Sequence, residues 1–339
     1  MKLESLDWDV LDRLRQTFLS SAKSAGPYWH TMTDLECYDL TYGERIGWKW
    51  DAVLRELRLR GWTPPVGVTV CDWGCGSGIA GRRVVDFLGA GDCVGLRLHD
   101  HSPLAIDFAE HRARQIFPAL TVERADTRFL RSEEPIGVLV LSHVLNELDE
   151  IARAELTGLL ARAQTVLWVE PGTHEVSRSL IGWREKARAQ GLQAVAPCTH
   201  QAGCGLMTTG NERHWCHHFA EPPMNIYADS DWVKFGQRAG IDLRSLPYSF
   251  LVLDRRPVEA GAGASRILGD PRIYKGYAKI FNCSASGVEE LTMQQRVDKV
   301  FFKSLKKTKG PLLYRWTREG EQITAAQPII EVLPDSGSA

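Results

Sequence analysis

The stretch Val68-Thr-Val-Cys-Asp72-Trp-Gly74-Cys-Gly76-Ser-Gly78 decides the fold, because it reads as a buried strand running straight into a helix. Glycines at alternate positions let the backbone turn sharply and approach a ligand closely, and the helix start supplies unpaired N–H groups. The spacing is G-x-G-x-G, which departs from the G-x-G-x-x-G of dinucleotide binders, and an acid, Asp72, stands two positions before the first glycine. Outward from this turn, apolar runs at 67–72, 93–99, 119–123, 136–142 and 165–170 alternate with helical stretches at 78–88, 102–116, 148–163 and 174–190. Such alternation predicts an α/β fold, a parallel sheet covered by helices on both faces.

Ahead of the sheet, residues 1–65 read as a helical cap. Helical periodicity runs over 6–24 and 42–60, where Ile46, Trp50, Val53, Leu54 and Leu57 form one apolar face before Gly61 and Pro64-Pro65 end the helix. The Rossmann-like domain spans 66–194. After Gly191 the rhythm breaks, and 195–227 is a Cys/His-rich insertion. Residues 228–256 return to the sheet through a helix near 229–239 and the strand-like run Tyr248–Leu253. Residues 257–330 form a C-terminal extension. In it 257–270, rich in Gly, Pro and Ala, reads as a loop, Arg272–Cys283 as strand-like, and Arg296–Arg318 as a basic stretch.

The chain has 339 residues, 44% hydrophobic and 24% charged, which is ordinary for a globular protein. No apolar run approaches the roughly 20 residues needed to cross a bilayer. The first residues, MKLESLDWDV, carry acids and lack a signal core or transit pattern, so a bacterial cytoplasmic protein is expected. With 41 Lys and Arg against 42 Asp and Glu, any nucleic-acid contact must rest on local clustering of charge.

A carboxylate at Asp72 would repel a pyrophosphate but suits a sulfonium cofactor with an ammonium-bearing tail. The pattern D-x-G-x-G-x-G resembles the first motif of class I S-adenosylmethionine-dependent methyltransferases. That resemblance implies cofactor contacts from Asp72, Gly74, Gly76 and Gly78. It further implies a ribose contact from Asp100 at the end of the second strand, and an adenine contact from Asp126 after the third. Ser142, in Leu141-Ser-His143-Val-Leu-Asn146-Glu147, would join them at the floor of the methyl-transfer pocket. The competing reading makes Asp100 and Asp126 helix caps or turn residues.

Of eight cysteines, Cys198, Cys204 and Cys216 follow C-x5-C-x11-C, and Cys283 lies 67 residues further on. Without a secretion signal these are free thiols or metal ligands rather than disulfides. Close C-x2–4-C pairs typical of zinc ribbons are lacking; four well-spaced thiolates also suit a cubane iron–sulfur cluster, and buried Cys serve as small apolar residues. Cys71, Cys75 and Cys93, in or beside strands, are expected to pack; Cys37 has no assigned role.

The stretches Trp168-Val-Glu-Pro-Gly-Thr173, Ala196-Pro-Cys198-Thr-His200, Trp215-Cys216-His217-His218-Phe219 and Tyr248-Ser-Phe-Leu-Val-Leu253, together with Cys204, resemble one family. It is the methyltransferase-like assembly factors of the mitochondrial small ribosomal subunit, with their bacterial homologues, and the resemblance runs from about Tyr42 to Trp316. It implies a [4Fe–4S] cluster on Cys198, Cys204, Cys216 and Cys283, with zinc as the alternative that His200, His214, His217 and His218 keep open. It also implies the small ribosomal subunit and its rRNA as partners, neither DNA nor a membrane, and a mitochondrial location for eukaryotic relatives.

Within 296–318, eight Lys and Arg stand against one acid, Asp298, with Phe301, Phe302, Tyr314 and Trp316 interleaved. Such a mixture neutralises phosphates and stacks on unpaired bases, unless the aromatics face a core. No catalytic motif stands out: Ser142-His-Val-Leu-Asn146 replaces an N-P-P-Y-type tetrad, and His143 and Glu147 are the candidate bases. The sequence therefore supports an rRNA methyltransferase, an assembly factor using the cofactor structurally, or, as a third reading, a small-molecule methyltransferase with a zinc insertion.

Overall fold

The computed structural model describes residues 1–19, 28–89, 91–258, 263–305 and 312–329. The chain divides into two compact units. One holds Met1–Leu54, Pro64–Glu170 and Ala220–Leu246; the other holds Arg55–Thr63, Pro171–Phe219 and Pro247–Ala339. No helix among the described residues is long and apolar enough to cross a membrane.

The first unit is built on five parallel strands, β1 (Val68–Trp73), β2 (Cys93–His99), β3 (Thr121–Arg124), β4 (Ile136–Ser142) and β5 (Ala163–Pro171). Their order is β3-β2-β1-β4-β5, with Val70 paired to Leu96 on one side and to Val138 on the other. The order reverses beside β1, so its carboxyl end opens at the place where α/β sheets receive ligands. The inner strands β4 and β5 are near-continuous apolar runs, as expected of strands covered on both faces; Val138, Leu139, Val140 and Leu141 have no exposed surface.

The helices are α1 (Trp8–Leu19), α2 (Met32–Tyr38), α3 (Glu44–Leu59), α4 (Ile79–Leu88), α5 (Pro103–Ile116), α6 (Thr127–Leu130), α7 (Glu150–Arg162), α8 (His174–Ala189) and α9 (Ser230–Ala239). Local chemistry sets their starts. Gly78 takes a left-handed conformation ahead of α4, Ser102 caps α5 with Pro103 at its first position, and Asp149 caps α7. The expected parallel α/β fold is present. The expected first helix, 6–24, is α1, and the end of that range lies outside the described residues.

In the second unit, β6 (Gln193–Ala196) runs antiparallel to β8 (Leu246–Asp254), and β7 (His218–Ala220) follows the cysteine segment. The C-terminal extension is a closed barrel. Its strands are β9 (Ala264–Ile267), β10 (Arg272–Ile273), β11 (Tyr277–Ser284), β12 (Gly287–Gln294), β13 (Leu313–Glu319) and β14 (Gln322–Pro328), with α10 (Lys299–Ser304) between β12 and β13. Pairing runs β10-β11-β12-β14-β13-β9, and β9 pairs back onto β11, which closes a ring of five. Ile267, Ala278, Ile280, Leu291, Met293, Phe302 and Ile323 fill its interior.

Two expectations are corrected here. The loop read at 257–270 contains β9, whose four residues are all buried between β13 and β11. The aromatics of the basic stretch face inward: Phe301, Phe302 and Tyr314 belong to the barrel core, and Trp316 packs on it while its indole N–H donates to Asn282 at 2.8 Å. They are unavailable for stacking on bases. Lys306, Lys307 and Lys309 lie outside the described residues. Phe302→Ala should destabilise the barrel by about 3–5 kcal/mol, as for other large core truncations, read as a lowered midpoint in urea.

Candidate functional site

The glycine turn closes the carboxyl end of β1. Gly74, Gly76 and Gly78 all have positive φ, at 74°, 52° and 75°. A Cβ at Gly74 would lie 2.7 Å from Val144 Cγ1 and one at Gly78 2.8 Å from Ala109 Cβ, whereas one at Gly76 would meet nothing. The middle glycine therefore faces open space, and the outer two are packed.

Two carboxylates hold this turn. Asp72, fully buried, accepts the Gly81 N–H from the first turn of α4 at 2.9 Å through Oδ2, and its Oδ1 has no partner. Burial pushes Asp72 up to about 7, with the Gly81 N–H working against it. Asp100, buried at the end of β2, accepts the Gly76 N–H at 2.8 Å and the Ser102 N–H at 2.9 Å. Asp126 is exposed and caps α6, its Oδ1 accepting the Phe129 N–H at 2.7 Å. Ser142 Oγ accepts the Trp50 indole N–H at 3.0 Å.

Beyond Ser142, His143 has φ of 59°, the one positive value among the described non-glycine residues. Its Nε2 is buried without a partner, and burial together with Lys49 keeps the ring well below its ordinary pKa, hence neutral. Glu170, fully buried on β5, accepts the N–H groups of Val144 and Leu145 and the Trp168 indole N–H, which fixes this loop. Burial pushes Glu170 up to about 7 and draws half-buried Lys49 down to about 7. Sequence reasoning quoted Glu170 only within a longer stretch.

In the second unit, Cys198, Cys204, Cys216 and Cys283 line one cavity of about 40 Å³, together with His200, Arg184 and Arg266. Cys283 Sγ lies 3.8 Å from His200 Nε2, and Cys216 Sγ lies 3.6 Å from His218 Nε2. Burial raises the Cys204 and Cys216 thiols and pushes Cys283 up to about 12, with the neighbouring thiols adding to each rise. Three polar atoms at this place, Arg184 Nε, Arg266 Nε and His200 Nδ1, are buried without hydrogen-bond partners. Among the described residues, no three His, Cys, Asp or Glu side chains enclose a single-ion site. Four thiols thus stand beside two guanidinium Nε–H groups and one imidazole nitrogen left without partners, a donor set whose chemistry suits a negatively charged multi-thiolate group.

The cysteine segment has little regular structure, so side chains satisfy its backbone. Arg60 donates to the carbonyls of Val195 and Cys198 at 3.0 Å and of Pro197 at 2.8 Å. Arg184 donates to Ala202 O at 2.9 Å, and Arg178 to Leu206 O at 2.9 Å. Ser177 and Ser249 both donate to Cys216 O, at 2.6 and 2.7 Å. Behind them Glu56, 2% exposed, takes a bidentate pair from Arg266 at 2.6 and 2.8 Å and the Arg60 Nε–H at 2.9 Å. Sequence reasoning missed this cluster. The signal was there: Glu56 falls three residues after Val53 on the buried face of α3, and Arg60, one residue past its end, continues the spacing at seven. Cys71, Cys75 and Cys93 are buried as expected, and buried Cys37 accepts the Asp7 N–H at 3.3 Å. His214 packs on Phe281 and His217 stacks on Trp215.

Burial pushes the Glu56 carboxyl up, but Arg266 and Arg60 outweigh it and hold it below its ordinary value. Its contribution is therefore present above the unfolded value of about 4.3 and lost as pH falls through the folded value. Glu56→Gln, which leaves two guanidiniums buried and uncompensated, should cost about 3–5 kcal/mol in urea unfolding at pH 7 and abolish that acid-side loss. Asp72 runs the other way. With its folded pKa at about 7, above the unfolded value of about 3.9, the folded state holds the extra proton and loses stability as pH rises between those values. Asp72→Asn should raise the melting temperature of the ligand-free protein at pH 8, with a smaller gain at pH 5.

No curated protein matches the chain. Among solved structures, magnesium protoporphyrin IX methyltransferase of Synechocystis PCC 6803, with bound S-adenosylhomocysteine, is similar over 72% of this chain and 93% of its own, at 14% identity and a TM-score of 0.39. A SAM-dependent methyltransferase of Aquifex aeolicus is similar over 49% of this chain and 90% of its own, at 15% identity and a TM-score of 0.37. Residues 84–319, more than half of the chain, match the family described as mitochondrial small ribosomal subunit Rsm22. The chain belongs to the mitochondrial small ribosomal subunit Rsm22 family.

Proposed function

We propose that this chain is an S-adenosylmethionine-binding, iron–sulfur methyltransferase-like protein that acts on the small ribosomal subunit, in rRNA methylation, assembly or both. The observation that carries the reading is the gathering of four cysteines, from two distant parts of the sequence, around one cavity. Cys198, Cys204, Cys216 and Cys283 would hold a [4Fe–4S] cluster, with Arg184 Nε, Arg266 Nε and His200 Nδ1 as donors towards its negative charge. A single zinc would need thiolates about 3.8 Å apart, from Zn–S bonds of about 2.3 Å in a tetrahedron. The cluster would supply a covalent tie between the cysteine segment and the barrel.

The cofactor site is the glycine turn. Gly76 leaves open backbone beside it, Asp72 presents an unpartnered Oδ1, and Asp100 pins the turn through Gly76 N–H. A ribose at Asp100 would compete for the oxygen that now holds Gly76, and Asp126 has Oδ2 left for an adenine amino group. Ser142 and Gly74 complete the set. Bound S-adenosylmethionine would supply an electrophilic methyl group. Neutral His143, with its bare Nε2, is then the candidate acceptor for the proton of an RNA nucleophile. The family supports the small ribosomal subunit as partner; contact with its rRNA, and not with DNA, is part of the proposal. The site of action would be the bacterial cytoplasm, or the mitochondrion for eukaryotic relatives.

Anaerobically purified protein should carry iron and labile sulfide in equal amounts, near four of each per chain for a cubane cluster; stoichiometric zinc without sulfide overturns the cluster. Tritiated methyl transfer to immature small subunits decides the chemistry. Label on rRNA that Asp72→Asn and His143→Ala both remove supports the enzyme. Subunit binding without label supports the assembly role, and failure to bind either S-adenosylmethionine or subunits overturns the proposal.

A further inference from the structure

The barrel has a face that the thiol cavity uses only in part. Along β11 the side chains of Tyr277, Lys279, Phe281 and Cys283 point outward, opposite Gln294, Thr292, Glu290 and Val288 of β12, while Ala278, Ile280, Leu291 and Met293 fill the interior. The cysteine segment covers one end. A Cβ at Gly205 would lie 2.8 Å from both Gly287 Cα and Val288 N, and the His214 ring sits 4.3 Å from that of Phe281.

Among the described residues, the other end stands open. Tyr274 is 42% exposed, and its ring lies parallel to that of Tyr277, 4.8 Å away and tilted by 12°. A hydrogen bond from Tyr274 N–H to Tyr277 O at 2.8 Å closes the turn through Lys275 and Gly276 and fixes the backbone that carries the outer ring. Arg272 and Lys279 flank the pair, their side chains 58% and 39% exposed and both bridged to Glu290, and Lys275 is exposed at the turn. Three cations thus meet one acid on a chain whose total charge is −1.

The strand path β9-β11-β12-β14-β13 returning to β9, with β12 and β14 parallel and a helix between the third and fourth strands, is that of an OB-fold. Folds of this kind take oligonucleotides on the face of their second and third strands, here β11 and β12. Topology alone does not assign a ligand; the tyrosine pair and its cations supply the chemistry. An exposed aromatic ring backed by a second ring offers a platform for an unpaired base, and cations beside it meet the backbone phosphates. A duplex hides its base faces and cannot use such a platform.

We infer that Tyr274 and Tyr277, with Arg272, Lys275 and Lys279, form a platform for single-stranded RNA on the open end of the β11–β12 face. The choice of RNA rests on the proposed action on the small ribosomal subunit. This surface replaces the interleaved aromatics of 296–318, which are spent on the barrel core.

Fluorescence anisotropy of the full chain with a labelled oligouridylate of roughly 12 nucleotides, within the site size of such barrels, against an RNA duplex of equal length, tests the platform. Single strands should bind more tightly than duplex. Tyr274→Ala should weaken single-strand binding about tenfold, Tyr274→Phe should retain it, and the melting temperature and iron content should match wild type for both. Replacing Lys275 and Lys279 by Ala together should lower the slope of log affinity against log salt by about 1.4. Equal binding of duplex and single strand, or unchanged binding by Tyr274→Ala, overturns the platform. If Tyr274→Ala loses subunit association but keeps the oligonucleotide, the face contacts protein and the inference is wrong. If wild type fails to associate with subunits yet needs Tyr274 for the oligonucleotide, the platform stands and the ribosomal reading falls.

Discussion

Glu56 carries a full negative charge in a place almost closed to water, and much of the second unit is arranged so that it can. Its two oxygens take Arg266 in a fork and share Arg60, so one carboxylate meets two guanidiniums. The excess of positive charge is spread onto backbone carbonyls, since Arg60 also binds those of residues 195, 197 and 198 and Arg266 that of residue 197. An ion pair of this sort is weak as a net source of stability, because desolvation cancels much of the attraction. Its value is directional. Guanidinium groups present several N–H bonds in a fixed plane, so the position of Glu56 dictates where Cys198 can lie, and the neighbouring Arg184 and Arg178 continue the same device along the segment.

The two candidate sites are therefore built on opposite principles. At the glycine turn the backbone itself makes the shape, and carboxylates from neighbouring strands accept its spare N–H groups. Around the thiols the backbone has almost no pattern of its own, and arginines and serines accept the task of binding its carbonyls. The first arrangement leaves an unpartnered carboxyl oxygen on Asp72, the second leaves guanidinium N–H groups of Arg184 and Arg266 without partners. A cationic cofactor for the first and an anionic cluster for the second are the complements proposed above.

This difference also explains what could be read from the sequence. β1 through β5 and their helices were legible because buried parallel strands are short apolar runs, and glycines mark the one turn that packs against Val144 and Ala109. For the proposed cofactor set the sequence supplied candidates only, and Asp126 spends one oxygen as a helix cap, the role its position alone suggested. The four cysteines could be paired with one another only through family resemblance, since nothing local in Phe281-Asn-Cys283 points 67 residues back. The barrel was hidden for another reason: its strands are short, their outward positions are polar, and β9 lies inside a Gly- and Ala-rich stretch. Arg266 in that stretch gives no hint of the acid it meets on α3, because a long-range ion pair leaves no periodic trace.

Chain order gives the thiol cavity one more property. Three of its cysteines leave the synthesising ribosome within a span of 19 residues, while the fourth emerges after a further 67. Until Cys283 arrives and β11 pairs with β9 and β12, the earlier three face solvent without their floor. The nascent chain thus has a period, set only by elongation, in which the site can be occupied wrongly or oxidised but not finished. Completion is tied to the placement of β11, which makes an intact cavity a record that the chain has been made at least as far as Cys283 and that this strand has found its place.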